Sequence, residues 1–229
     1  MKLYPFVRAA SLALLAGLFT IVTPALAASQ PSDVLTEGVV EFAISYEDVG
    51  PMAAMLPKSQ TVYFRPGAVR IESGTSVSLR GVVPGKSVQM VTAGELKLAF
   101  LIPVSTPSTR NELVRFEETE TRRTIAEIEA RQVDGVDRED DSNRLAYWVT
   151  DRIEAEWRAA PALEGFALEY SEPLNDGLSH RVAQRIEAKT LDVALFQIPE
   201  DFEQVEIDSP QDIGRVLGER LGAEVQVME

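Results

Sequence analysis

Gly38-Val39-Val40-Glu41-Phe42-Ala43-Ile44-Ser45-Tyr46-Glu47 is the stretch that decides the fold class. Val40, Phe42, Ile44 and Tyr46 alternate with Val39, Glu41, Ala43 and Ser45, the period of two that gives a strand one buried face. Gly50-Pro51 ends the strand, and Met52-Ala53-Ala54-Met55-Leu56 reads as one or two helical turns closed by Pro57. Runs of β formers follow at 61–65, 69–72, 77–82, 88–92 and 96–102. Pro66-Gly67, Gly74, Pro84-Gly85 and Ala93-Gly94 separate them as hairpin punctuation. Short strands at this spacing predict an antiparallel meander. Leu96, Leu98, Phe100 and Ile102 form a second alternating apolar row, expected to share an inner face with Phe42 and Ile44.

Beyond residue 107 the pattern is divided. Residues 111–120 and 124–132 hold strong helix formers yet also permit strand alternation at Ile128, Ala130 and Gln132, so both readings stay open. Residues 137–143 are a charged loop, and 145–149 resume as a strand. Thr150 or Asp151 can cap a short helix over 152–160 that sets Ile153 and Trp157 on one face and stops at Pro161. Strands at 166–171 and 178–189 flank Asn175-Asp176-Gly177, a favoured hairpin turn. A strand or edge is expected at 193–198. At the end Ser209 caps a helix, Pro210 takes its first position, and Ile213, Val216, Leu217 and Leu221 form its apolar stripe, expected to pack on the sheet.

Composition bounds the function. The chain of 229 residues carries a formal charge of −14. Such a surface repels phosphate backbones and anionic headgroups, which argues against nucleic-acid binding and against a basic membrane patch. There is no cysteine, so disulfides, thiolate metal sites and cysteine nucleophiles are excluded. At the N-terminus Lys2 and Arg8 precede the apolar run 9–22, and Ala25-Leu26-Ala27 follows Pro24, the pattern of a cleaved export signal with Ala28 as the mature start. Cleavage removes two cations and no acid, so the mature body is more acidic still. With no cysteine to lipidate and no second apolar run near the roughly 20 residues of a membrane helix, the mature chain is expected to be soluble in the periplasm or secreted.

Candidate chemistry is sparse. His180 is the single histidine, too few for a multi-histidine zinc site. Ser179 beside it points to the opposite face of a strand, and no Gly-x-Ser-x-Gly elbow exists. With Asp137 as first ligand, Ser142 stands at the glycine position of a calcium hand and Trp148 at that of its bidentate glutamate, which rules the hand out. Carboxylate pairs fit for glycoside hydrolysis arise by chance among 36 acids, and the two tryptophans, Trp148 and Trp157, read as packing residues rather than sugar platforms.

Three motifs carry a family resemblance: Trp148-Val149-Thr150-Asp151, Leu163-Glu164-Gly165-Phe166, and Phe196-Gln197-Ile198-Pro199-Glu200-Asp201-Phe202. Together with Met55-Leu56-Pro57-Lys58 they resemble an uncharacterised exported bacterial family, domain of unknown function 4412, over residues 38–205. That family is in turn similar in fold to the lipoprotein carrier LolA and its relatives. The resemblance implies a curved antiparallel half-barrel around helices, with room for an apolar cavity, and makes 124–133 a strand. Here Ala126-Glu127 stands where the family commonly has glycine and an aromatic residue, and Glu164 where it has proline. No catalytic residue is implied.

The expected organisation is a signal peptide at 1–27, a polar leader at 28–37, a LolA-like α+β domain, mainly antiparallel β, at 38–207, and an amphipathic helix and tail at 208–229. The expected function is non-catalytic holding of a lipid or acyl chain, without cofactor or metal. Phe42, Ile44, Tyr46, Met52, Met55, Leu98 and Phe100 are the expected apolar lining. The alternatives are an acidic envelope module engaging a basic protein and, behind it, a hydrolase. Sequencing the N-terminus of the exported protein should find Ala28; a membrane-bound form that retains Met1 overturns the soluble reading.

Overall fold

The computed structural model describes residues 34–104, 114–138, 144–160, 162–174 and 177–227. The export signal, most of the polar leader, the charged stretch 139–143 and the Asn175-Asp176 turn lie outside them. The strands are β1 (Gly38–Glu47), β2 (Ser59–Arg65), β3 (Ala68–Ser73), β4 (Ser76–Val83), β5 (Lys86–Ala93), β6 (Leu96–Pro103), β7 (Val114–Ile125), β8 (Ile128–Asp137), β9 (Arg144–Thr150), β10 (Phe166–Leu174), β11 (Gly177–Ala188) and β12 (Glu203–Glu206). Short 3-10 turns occupy Gly50–Ala54 and Val193–Phe196, and helix α1 runs Asp212–Val227.

All twelve strands join one sheet in the order β12-β6-β5-β4-β3-β2-β1-β11-β10-β9-β8-β7. Two meanders, β1 to β6 and β7 to β11, meet where β1 pairs with β11. Only β12 on β6 is parallel. The result is an α+β fold with a curved, mostly antiparallel sheet and few flanking helices. Curvature follows from aromatic distances. β2 and β10 lie three strands apart, about 14 Å in a flat sheet, yet the Phe64 and Phe166 rings are 6.2 Å apart and Phe42 stands 6.4 Å from Phe166.

Both faces are covered. On the concave face Val40, Phe42, Val62, Phe64 and Val69 share one cluster with Val133, Val149, Phe166 and Tyr170, while Leu98, Phe100 and Ile102 form another beneath Ile207 and Val216 of the C-terminal segment. On the convex face Leu79, Val88, Met90 and Ala99 meet Ile198 and Phe202, and Val39 meets Leu191 and Phe196.

Several sequence expectations change. Residues 151–160 form no helix; Ile153 and Trp157 are buried from an irregular segment instead. Residues 193–196 are a 3-10 turn, started by Asp192 Oδ1 accepting from the Ala194 amide at 2.9 Å, where a strand was expected. The open reading at 124–132 resolves to a hairpin between β7 and β8. In α1, Val216 is buried and Ile213 and Leu217 pack beside it, whereas Leu221 stays largely exposed.

The β7–β8 turn carries a backbone conflict. Ala126 and Glu127 have φ of 45° and 68°, the left-handed region that two-residue hairpin turns require and that side chains resist. These are the positions where the resembled family places glycine first. Replacing Ala126-Glu127 with Asn-Gly should stabilise the protein by about 1–2 kcal/mol. Urea unfolding measures it, and an unchanged midpoint would show that the turn is not strained.

Candidate functional site

Strand alternation would leave the concave face of β1, β2 and β10 as an open aromatic trough. It is filled instead by the irregular connection between β9 and β10, described at residues 151–160 and 162–165. This strap inserts Ile153, Trp157 and Leu163 into the cluster. The Trp157 ring lies 5.1 Å from Phe166, 5.8 Å from Tyr170 and 6.2 Å from Phe42, tilted against each in the geometry that favours aromatic pairs.

The strap has no ladder of its own, and its ends are tied by specific polar contacts. Thr150 Oγ1 accepts from the Arg152 amide at 3.2 Å. The Leu35 amide donates to Arg152 O at 2.8 Å and the Glu154 amide to Leu35 O at 2.9 Å, forming a parallel bridge with Ile153. Arg131 joins both ends: Nη2 donates to Asp151 Oδ1 at 3.3 Å and to Glu164 O at 3.4 Å, while Nη1 pairs with Glu118 at 2.6 Å. Gly165, at φ 87°, closes the strap where a Cβ would press on Thr150 O and Asp151 Oδ1. Arg152 Nε is buried without a hydrogen-bond partner.

At one end of the trough the lining turns polar. Arg181 lies over the Tyr170 ring, 5.4 Å from its centre; Nε donates to Gln60 Oε1 at 3.0 Å, and Nη1 meets Glu172 and Ser179. Burial pushes the Tyr170 hydroxyl far above its usual pKa. Sequence reading missed this cluster, although Gln60 gave a signal: it precedes Val62 and Phe64 at period two, a polar side chain in a buried row.

The expected lining residues fall in different places. Phe42 and Ile44 are buried, Phe42 among the strap aromatics. Tyr46 is half-buried and donates to Pro57 O at 2.6 Å. Met52 and Met55 stand exposed, Met55 at 87%, on the turn after β1. Leu98 and Phe100 are fully buried beneath the C-terminal segment. Register does put Phe100 on the same face as Val40, through the row Val40, Val62, Ile71, Ser78, Gln89, Phe100. Ser78 and Gln89 interrupt that row, so the two apolar ends pack apart. Between β6, β12 and α1 a cleft of about 240 Å³ is lined by Lys86, Val205, Asp212 and Val216, small beside the pockets that hold drug-sized ligands.

His180 gains a neighbour that sequence adjacency concealed. Its Nδ1 lies 2.9 Å from Ser171 Oγ, and Nε2 lies 3.6 Å from Glu169 Oε1. Glu169 is ion-paired with Arg123, whose guanidinium sits 3.9 Å from the Trp148 ring centre. Ser171 and His180 stand directly opposite each other in the β10–β11 register. Among the described residues no group of three or more His, Asp or Glu could hold a metal ion, and no helix is long and apolar enough to cross a membrane.

No family model matches the chain, and no curated protein matches it. Among solved structures it is similar to PNGF-II in C2 and P21 crystal forms, with TM-scores of 0.50 and 0.51 at 12% identity, covering 79% and 80% of this chain. It spans about a third of PNGF-II, 32% and 33%, and at that identity the likeness concerns the fold alone. Lipoprotein LppX of Mycobacterium tuberculosis and LprF of Mycobacterium bovis superpose at TM-scores of 0.31 and 0.30, with 12% and 13% identity, over 69% and 73% of this chain and 90% of each of theirs. That is too loose to bear on the argument.

Since Trp157 fills the trough from a strap rather than from the sheet, Trp157→Ala should destabilise the protein by about 3–5 kcal/mol, the range for emptying a large aromatic site. Chemical unfolding reads the change. A loss below about 1 kcal/mol would mean that neighbouring side chains close the space without it.

Proposed function

We propose that the chain is an exported, non-catalytic binding module that holds an apolar ligand, such as a lipid or acyl chain, against the concave face of its sheet. One observation carries the reading: the aromatic trough is roofed by an irregular strap, tied by side chains and by a single β-bridge to Leu35, and not by another sheet or a helix. Displacing such a strap exposes a preformed aromatic floor of Phe42, Phe64, Phe166 and Tyr170 without breaking a ladder. Of the expected lining, Phe42 lies on that floor. Ile44 and Tyr46 continue its strand toward the exposed Met52 and Met55, which would form the entrance. Leu98 and Phe100, under the C-terminal segment, would back the far end of the face. Export is supported by the N-terminal pattern.

A second reading is an interaction module that engages a basic partner through its acidic surface. Two observations favour it: the charge of −14, and the likeness of the chain to about a third of a longer protein. Association of that kind weakens with salt, while burial of an apolar ligand does not.

Trp148→Phe leaves Trp157 as the sole indole and as the reporter of strap position. Titration with 1-dodecanol should then shift its emission to longer wavelength as the ring leaves the trough. Arg131→Gln, which removes the Arg131 contacts to Asp151 and Glu164, should tighten apparent affinity about five- to tenfold by raising the fraction of open molecules. Failure of the protein to bind any neutral apolar probe overturns the carrier reading.

A further inference from the structure

Between the strap cluster and the C-terminal cluster the concave face carries a strip of different chemistry. Strands β4 and β5 turn Leu79, Val88 and Met90 toward the convex side, where they are buried with Ile198 and Phe202. Their alternates therefore line the concave side. Ser76, Ser78 and Arg80 come from β4 and Gln89 from β5, with Ser78 opposite Ile71 and Arg80 opposite Val69. Directly opposite residues in an antiparallel pair share a face, and Val69 belongs to the strap cluster. Arg80 thus borders the aromatic trough and, among the described residues, stays exposed there. Ser76 and Ser78 are hydrogen-bonded to the Gln89 amide, which fixes this polar floor.

Arg80 differs from Arg181, another cation of this face. Arg181 is neutralised by Glu172 and bonded to Gln60 and Ser179. Arg80 has no hydrogen bond, ion pair or aromatic partner among the described residues. It is exposed to solvent, yet the protein around it desolvates the guanidinium enough to lower its pKa, with no charge opposing the effect. Among the described residues no carboxylate compensates it, acidic though the chain is. A planar guanidinium with free donors is matched by a carboxylate or a phosphate oxygen pair.

We propose that this strip binds the anionic head of an amphiphile whose apolar body lies along the aromatic trough, with Arg80 as the counter-ion that selects it. The proposal deepens the apolar-ligand reading and rests on it: the trough takes the chain, and Arg80 decides which end group is accepted. Free carboxylate and lipid phosphate present the same oxygen pair to Arg80, and the choice of probe separates them.

Competition against a neutral fluorescent probe, using dodecanoate, dodecyl phosphate and 1-dodecanol below their aggregation limits, tests it in the full chain. The wild type should prefer at least one anion over the alcohol by about tenfold or more, and the identity of that anion names the head group. Arg80→Gln should abolish the preference while leaving affinity for the alcohol within about twofold. Arg80→Lys should keep part of the preference. Equal binding of anions and alcohol by the wild type, or a preference that survives Arg80→Gln, overturns the proposal and leaves the carrier reading standing. Binding of none of the three probes overturns both.

Discussion

A sheet bent so far that β2 and β10 bring their aromatic rings to 6.2 Å must have its concave face filled, because an empty apolar trough would forfeit the contacts that hold the bend. In this protein the filling is Trp157, delivered by a strap. Each ring around it is buried, and together they draw strands that are not neighbours in the sheet into one cluster. Dispersion and apolar burial at this point hold the curvature. They also explain why residues 151–160 and 162–165 are irregular: a helix would present one stripe, whereas the segment must send Ile153, Trp157 and Leu163 into the same concavity.

The strap also gives the short motifs a physical meaning. Trp148-Val149-Thr150-Asp151 is where the strap leaves β9, and Leu163-Glu164-Gly165 is where it rejoins the sheet. Thr150 turns the first residue, Gly165 permits the last, and Arg131 on the adjoining strand β8 holds both. Phe196 and Ile198 do the corresponding work on the convex side, packing on Val39 and on the Leu79 cluster. The residues that suggested a family are thus those that fasten irregular chain to both faces of the sheet.

Strand positions were legible because turn residues punctuate them and because alternation survives in β1, β2, β5 and β6. Packing was not legible, and β4 shows why. Val77 and Leu79 alternate with Ser76 and Ser78 as an ordinary amphipathic strand would, and a one-faced core makes the apolar set concave. A sheet covered on both faces allows the opposite, and here Leu79 packs on the convex side. The same ambiguity hid Trp157. Helical spacing from Ile153 satisfied the local pattern, while the tertiary demand to fill a trough overrode it. Ser171 met His180 only through the β10–β11 register, which no spacing along the chain reveals.

Two-sided coverage shapes the concave face as well. The row from Val40 to Phe100 crosses five strand spacings, about 24 Å at the usual separation, and one strap cannot roof it all. The strap covers the first part and the C-terminal helix the last. The middle, left to water, carries serine, glutamine and arginine. A purely structural strip in this position would be expected to hold neutral polar residues or paired charges, since an unpaired guanidinium desolvated by its surroundings opposes folding. Arg80 keeps that unfavourable state at the border of the most apolar part of the molecule. That is the arrangement in which an amphiphile gains from both ends at once: its chain from burial, its head from a cation that no side chain has already neutralised.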